Sequence, residues 1–374
     1  MRRRLIYLLA AVAATAAGAG HAGQEGKKRW QASPPPRYKV VNLGAGQGTV
    51  SLNNAGEVLI SPPVQGEGQP RGRTVLWRDG KKRELPPGFL GWDLNDHGDV
   101  VGSMTFGQMR HAALRRHDGG ITDLTPRSRG ATEAVAVSNS GNVVLRDGTG
   151  RAGWLKKAGG GAELTPLDFV PADVNDAAQV IGNAGGGMDA YFWEKGKARE
   201  AGHVPGQDGI ALNGLNEAGV AVGNSTSGGP GWVRAFTWAK GGFSEREAIP
   251  HPRAEDRLFY GAVALHLNRT GDVVGYAAEQ GLPAAYHGGE DAFPACAAPS
   301  AVAPRDHSGS TRTAALLWKG TGGAYDLNDH VPGMIRGRRG WKMTAACEIN
   351  DRGQIVGEGD YRGKPHFFLL TPAK

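Results

Sequence analysis

Cysteine is nearly absent: Cys296 and Cys347 are the two in the sequence, so no disulfide framework carries this fold. In an oxidising compartment the two can pair; otherwise Cys347 is a buried thiol and Cys296 an exposed one. Catalytic spacings are lacking as well. No His-Glu-x-x-His, no close Cys-His pair and no Gly-x-Ser-x-Gly occurs, which removes the usual signatures of zinc proteases and serine hydrolases. Beyond the N-terminus no run approaches the ~18 apolar residues of a membrane-spanning helix. No long stretch repeats every 3.6 residues, which excludes a helical bundle. Charge of one sign is also missing from the body of the chain. Residues 1–37 hold seven Lys or Arg and one Glu, and the remainder holds 36 basic against 35 acidic residues. That balance excludes an extended nucleic-acid surface.

What is present begins with an export signal over residues 1–22. Arg2, Arg3 and Arg4 precede an apolar run from Leu5 to Ala17, and small residues end it at Gly20-His21-Ala22. Cleavage is expected after Ala22, with Ala19 as the alternative. Residues 23–37, with Lys27, Lys28, Arg29 and Pro34 to Pro36, form a basic, proline-rich linker. The mature chain is therefore expected outside the cytoplasm, extracellular or periplasmic, with no transmembrane segment once the signal is removed.

From residue 38 to residue 374 the sequence repeats itself. The clearest copy is Ile349-Asn350-Asp351-Arg352-Gly353-Gln354-Ile355-Val356-Gly357, and others begin at Leu52, Leu94, Val137, Val174, Leu215 and Leu267. In each, an apolar residue ends one strand and Asn bonds the backbone two residues on. Gly supplies a positive φ, and a β-branched pair opens the next strand. Ser138 replaces Asn in one copy and Ala178 replaces Gly in another; the first bonds more weakly, and the second must strain or change the turn. The Asn positions 53, 95, 138, 175, 216, 268 and 350 recur near every 42 residues, the period of a four-stranded propeller blade. A second half-unit follows each turn, as in Arg110-His111-Ala112-Ala113-Leu114 with Asp123-Leu124, or Trp154-Leu155 with Glu163-Leu164.

The expectation is an all-β propeller of seven blades, eight being the alternative, because the step from Asn268 to Asn350 is double length. Residues near 280–311 are then either an insertion or a worn blade, with Pro283 to His287 and Thr313 to Trp318 both fitting a third strand. The orphan segment Tyr38-Lys39-Val40-Val41-Asn42-Leu43 should complete the last blade and close the ring.

These units resemble the HAF-repeat proteins, whose repeats read roughly Asn-Asn-x-Gly-x-Val-Val-Gly, His-Ala-Phe-Leu-Trp and Asp-Leu-Gly. The resemblance covers about Tyr38 to Pro372 and is closest from Asp326-Leu327-Asn328 through His366 to Pro372. It implies export and a repeat β fold, and no activity.

Candidates for chemistry reduce to structure on inspection. Gly44-Ala45-Gly46-Gln47-Gly48 follows a strand but leads into another strand, not the helix a dinucleotide loop needs. Asn95 to Asp99 lacks the acids of a calcium loop. His111 and His366 occupy matching repeat positions, as blade-packing residues do. No catalytic residue, metal site or cofactor is expected. The connections from second to third strand and from blade to blade emerge on one face and carry Trp92, Trp232, Arg253, Asp256, Tyr260, Arg339 and Trp341, the candidate binding residues; Trp92 and Trp341 alternatively plug the channel. The sequence thus supports an exported, monomeric, non-catalytic scaffold binding a protein, glycan or cell-envelope component. The alternative is an extracellular polysaccharide lyase or hydrolase with a His/acid site at the channel mouth.

Overall fold

The computed structural model describes residues 35–46, 48–65, 69–70, 72–184, 189–204, 206–226, 233–240, 242–245, 261–278, 313–320, 323–331 and 340–373. These residues form seven four-stranded antiparallel sheets arranged as the blades of a propeller. In six of the blades the strands run from the axis outward in chain order. Blade two, for example, is Leu90–Leu94, Val100–Phe106, Met109–Arg115 and Ile121–Asp123.

Each blade grows from its Asn turn. In blade two, Asn95 Oδ1 accepts the N–H groups of His97 and Asp99, and Gly98 N donates to the Asn95 carbonyl. Gly98 sits at φ 77°, where an L side chain is strained. Ala178 adopts the same region at φ 54°, so the Ala copy keeps the turn geometry and accepts the strain. The Gly that closes the Val-Val-Gly motif has a different cause. A Cβ on Gly275 would lie 1.9 Å from the carbonyl oxygen of Val263. Only a glycine lets the innermost strand bulge toward its neighbour, as it does between Ala264 and His266.

Blade six spans the double-length step. Its second strand, Val273–Ala278, pairs directly with Thr313–Trp318, so Pro283 to His287 is not the third strand and no eighth blade intervenes. The expected insertion, residues 280–311, lies outside the described residues. One boundary shifts: the outer strand of blade three is Thr165–Leu167, not a strand ending at Glu163-Leu164, because Leu155 pairs with Thr165.

The ring closes where the ends meet. Tyr38–Ala45 forms the outer strand of blade seven against Lys364–Pro372, from Tyr38 opposite Pro372 to Ala45 opposite His366, with a one-residue bulge between Asn42 and Gly44. The core lies between blades. One apolar cluster joins Phe367 and Leu369 of blade seven to Val50, Leu52 and Trp77 of blade one, and another joins Phe192 of blade four to Leu212 and Trp238 of blade five. Cys347, 4 % exposed in the innermost strand of blade seven, is disulfide-bonded; Cys296 lies outside the described residues.

Candidate functional site

The innermost strands line an axial bore, and two belts of hydrogen bonds run around it. The first is made of Asn side chains. Nδ2 of Asn53 donates to the carbonyl of Asn95, Asn95 to Ser138, Asn175 to Asn216, Asn216 to Asn268, Asn268 to Asn350 and Asn350 back to Asn53, at 3.0–3.3 Å. In blade three, where Ser138 stands for Asn, Asn142 supplies the missing donor to the Asn175 carbonyl.

The second belt uses the residue two before each Asn, and sequence reasoning missed it. Asp93 accepts from the N–H of Val137, Asp173 from Leu215 and Glu348 from Leu52, each in the following blade. Ser51 Oγ donates to Asp93 at 2.8 Å. Protein encloses these carboxylates, although their side chains keep some access to solvent in the bore. Burial pushes Asp93 up to about 6. Burial and then the charge of Asp93 push Asp173 up to about 8. Glu348 is raised by burial and then by Asp93. His266 occupies the same position in blade six and is pushed down to about 4 by burial. Its Nδ1 accepts the N–H of Ile349 at 3.4 Å, which requires the neutral ring. Four polar groups thus converge on the bore, but each faces a backbone N–H of the next blade. Among the described residues no hydrogen bond joins His266 to a carboxylate.

His111 and His366 have a different explanation, visible in the register. His111 Nδ1 meets Asp123 Oδ2 at 2.8 Å, and His366 Nδ1 meets Asn42 Oδ1 at 3.0 Å. In both cases the His lies two residues before the one paired with the acid or amide. Arg73 and Glu84 of blade one hold the same positions and form an ion pair at 3.4 Å. The pair clips third strand to fourth, so its histidines are blade structure. In blade four the equivalent positions hold two acids, Asp189 and Glu200. With His203 they form the group among the described residues whose ligand atoms, all within 4.8 Å of one another, can share a metal ion. Glu200 and His203 are exposed and make a 3.2 Å ion pair, which satisfies both without an ion.

The proposed binding residues scatter. Trp92 is 6 % exposed, on the bulge of an innermost strand, and so is core. Trp341 is half-buried and packs on Tyr361, His366 and Phe368, so it neither plugs the bore nor stands free. Trp232, Arg253, Asp256, Tyr260 and Arg339 lie outside the described residues.

Antiparallel order puts the Asn turns on one face of the ring and the longer connections on the other. On that loop-rich face, at the seam between blades seven and one, lies a cleft of about 670 Å³. Leu43 and Phe367 form its buried floor, Ile60 and Val75 its half-buried wall, and Arg73, Lys82 and Lys364 stand at its rim. Gly44 to Gly46, the stretch that looked faintly like a nucleotide loop, borders it and is followed by strand Thr49–Leu52. No helix N-terminus is there to hold a phosphate.

A seven-bladed propeller closed by its first strand is the class this architecture defines. No protein-family model matches the sequence, and no curated protein sequence matches it. Solved structures do. Virginiamycin B lyase from Staphylococcus aureus superposes with a TM-score of 0.51 at 12% identity, over 89% of this chain and 99% of that one. The β-propeller domain of the trilobed protease from Pyrococcus furiosus gives 0.52 at 8% identity, over 88% and 94%. That domain is described as having an open velcro topology, whereas here the closing strand is paired. At these identities the likeness is one of fold.

Proposed function

We propose that this chain is an exported, non-catalytic scaffold of the HAF-repeat kind whose loop-rich face binds a protein, glycan or cell-envelope component. The observation that carries the reading is the cleft at the closure seam: a concave, partly apolar, positively rimmed recess on the face where the long connections emerge. Ligand sites favour such recesses on rigid scaffolds. The acid belt in the bore, by contrast, is spent on holding blades together. The recurring clip supports the family resemblance, because it gives the His of the repeat and the acid or amide of its fourth strand one shared structural role. Among the described residues no helix is long and apolar enough to cross a membrane.

The test is a glycan array and co-sedimentation with envelope fractions, using the full chain, a loop-face variant at the cleft rim (Arg73→Glu with Lys82→Glu) and a turn-face control beside Asn268 (Arg269→Glu). Binding that falls in the loop-face variant and survives in the control is expected. Binding indifferent to the loop-face substitutions overturns the reading.

A further inference from the structure

The cleft has a chemical character of its own. Its volume, about 670 Å³, falls within the roughly 300–1,000 Å³ of small-molecule sites. Its walls are apolar, and its charge is of one sign. Arg73 is already engaged with Glu84, while Lys82 and Lys364 are exposed and have no anionic partner among the described residues. Two glycines keep the space open. A Cβ on Gly44 would lie 2.9 Å from Lys82 Nζ, and one on Gly46 would press on the Phe367 ring at 3.1 Å. The nearby Glu358, opposite Phe367 in the sheet, is pushed up to about 8 by burial, so it leaves the positive rim uncompensated at neutral pH.

Deepening the reading above and resting on it, we infer that the cleft binds an amphipathic organic carboxylate, its headgroup between Lys82 and Lys364 and its aliphatic or aromatic body against Ile60, Val75 and Phe367. Two point charges suit a carboxylate. Lysine also holds phosphate as a point charge, so the selectivity comes from the apolar lining, which gives an amphipathic acid a surface that inorganic phosphate cannot use.

The experiment is a fluorescence titration of the full chain with cis-parinaric acid, competed with laurate, methyl laurate and inorganic phosphate. One-site saturation, displacement by laurate alone, and a loss of about tenfold in affinity in the Lys82→Glu, Lys364→Glu double variant at unchanged melting temperature are expected. A Lys82→Arg, Lys364→Arg variant should retain binding. Absence of saturation, equal displacement by methyl laurate or by phosphate, or charge-reversed binding within about twofold of the parent overturns the inference. Envelope and glycan binding are scored on the same variants. If they persist while the probe fails, this inference alone falls; if both fail, the wider reading falls with it.

Discussion

Asn142 Nδ2 donates to the backbone carbonyl of Asn175, 3.2 Å away across the seam between blades three and four. The bond stands where every other blade uses the Asn of its own turn. Ser138, which replaces that Asn, keeps the contact within the turn, where its Oγ accepts the N–H of Asn142 at 3.2 Å. One residue's work has been divided between two.

Asn142→Ala should therefore cost more than Ser138→Ala. The first removes the inter-blade bond to the Asn175 carbonyl, which keeps the N–H of Ala178, and also the bond that Asn142 Oδ1 accepts from Ala158 N, at about 0.5–1.5 kcal/mol each, while the second removes only contacts within the turn, to Asn142 N and Ser140 Oγ. Urea denaturation of both variants checks this, and equal midpoints would contradict the division.

Deleting residues 38–43 should lower the melting temperature by more than about 10 °C or abolish cooperative unfolding, since it strips the closing strand from blade seven and bares a sheet edge. Deleting residues 23–34 should change it by no more than about 1 °C. Matching curves for the two deletions would mean the ring does not depend on its clasp.

Asp173 gives the pH prediction. Its folded carboxyl is pushed up to about 8, by burial first and then by the charges of Asp93 and Glu217. Unfolded, it titrates near about 4. Between these values the folded chain holds the extra proton, so stability falls as pH rises through that window. Asp173→Asn removes the loss: the variant should melt with the parent at the acid end and above it at the alkaline end. A difference that does not change with pH would show that Asp173 is ionised without penalty.

Ala178→Gly should stabilise the chain by about 0.5–1 kcal/mol, because Ala178 sits at φ 54° and glycine removes its left-handed strain at a smaller entropic cost. Thermal melting decides it, and a destabilised variant would show that the Ala methyl packs better than its backbone suffers.

Cys347 is buried and disulfide-bonded, and Cys296 is the other cysteine in the sequence. Peptide mapping without reductant should recover the two in one cross-linked species, and Cys296→Ser should cost roughly 4 kcal/mol by the chain-entropy estimate. Separate alkylated peptides would exclude the pairing.

The turns and the closure were legible because each is written in contiguous residues: Asn350 to Gly357 states a turn and two strands, and Tyr38 to Leu43 states a strand without a blade. The polar belt was legible in principle. Aligning the copies two places before each Asn reads Ser51, Asp93, Ala136, Asp173, Gly214, His266 and Glu348, and three acids in an apolar innermost strand is a signal. It went unread because each acid is satisfied by a neighbouring blade, a partner that no single repeat contains. Trp92 misled for the opposite reason. It lies beside a loop in sequence, but the bulge after Gly91 turns it into the core. The seam cleft could not be read at all, since Phe367 and Ile60 stand some 300 residues apart and meet only after closure.

That last distance has a temporal consequence. A chain made from its N-terminus presents Tyr38–Ala45 long before Lys364–Pro372 exists to receive it. Every nascent intermediate is thus an unlatched arc, and only the final hairpin converts it to a finished molecule. Any product truncated before that hairpin should be cut by proteases within its otherwise complete blades, so quality control needs to inspect nothing but the latch.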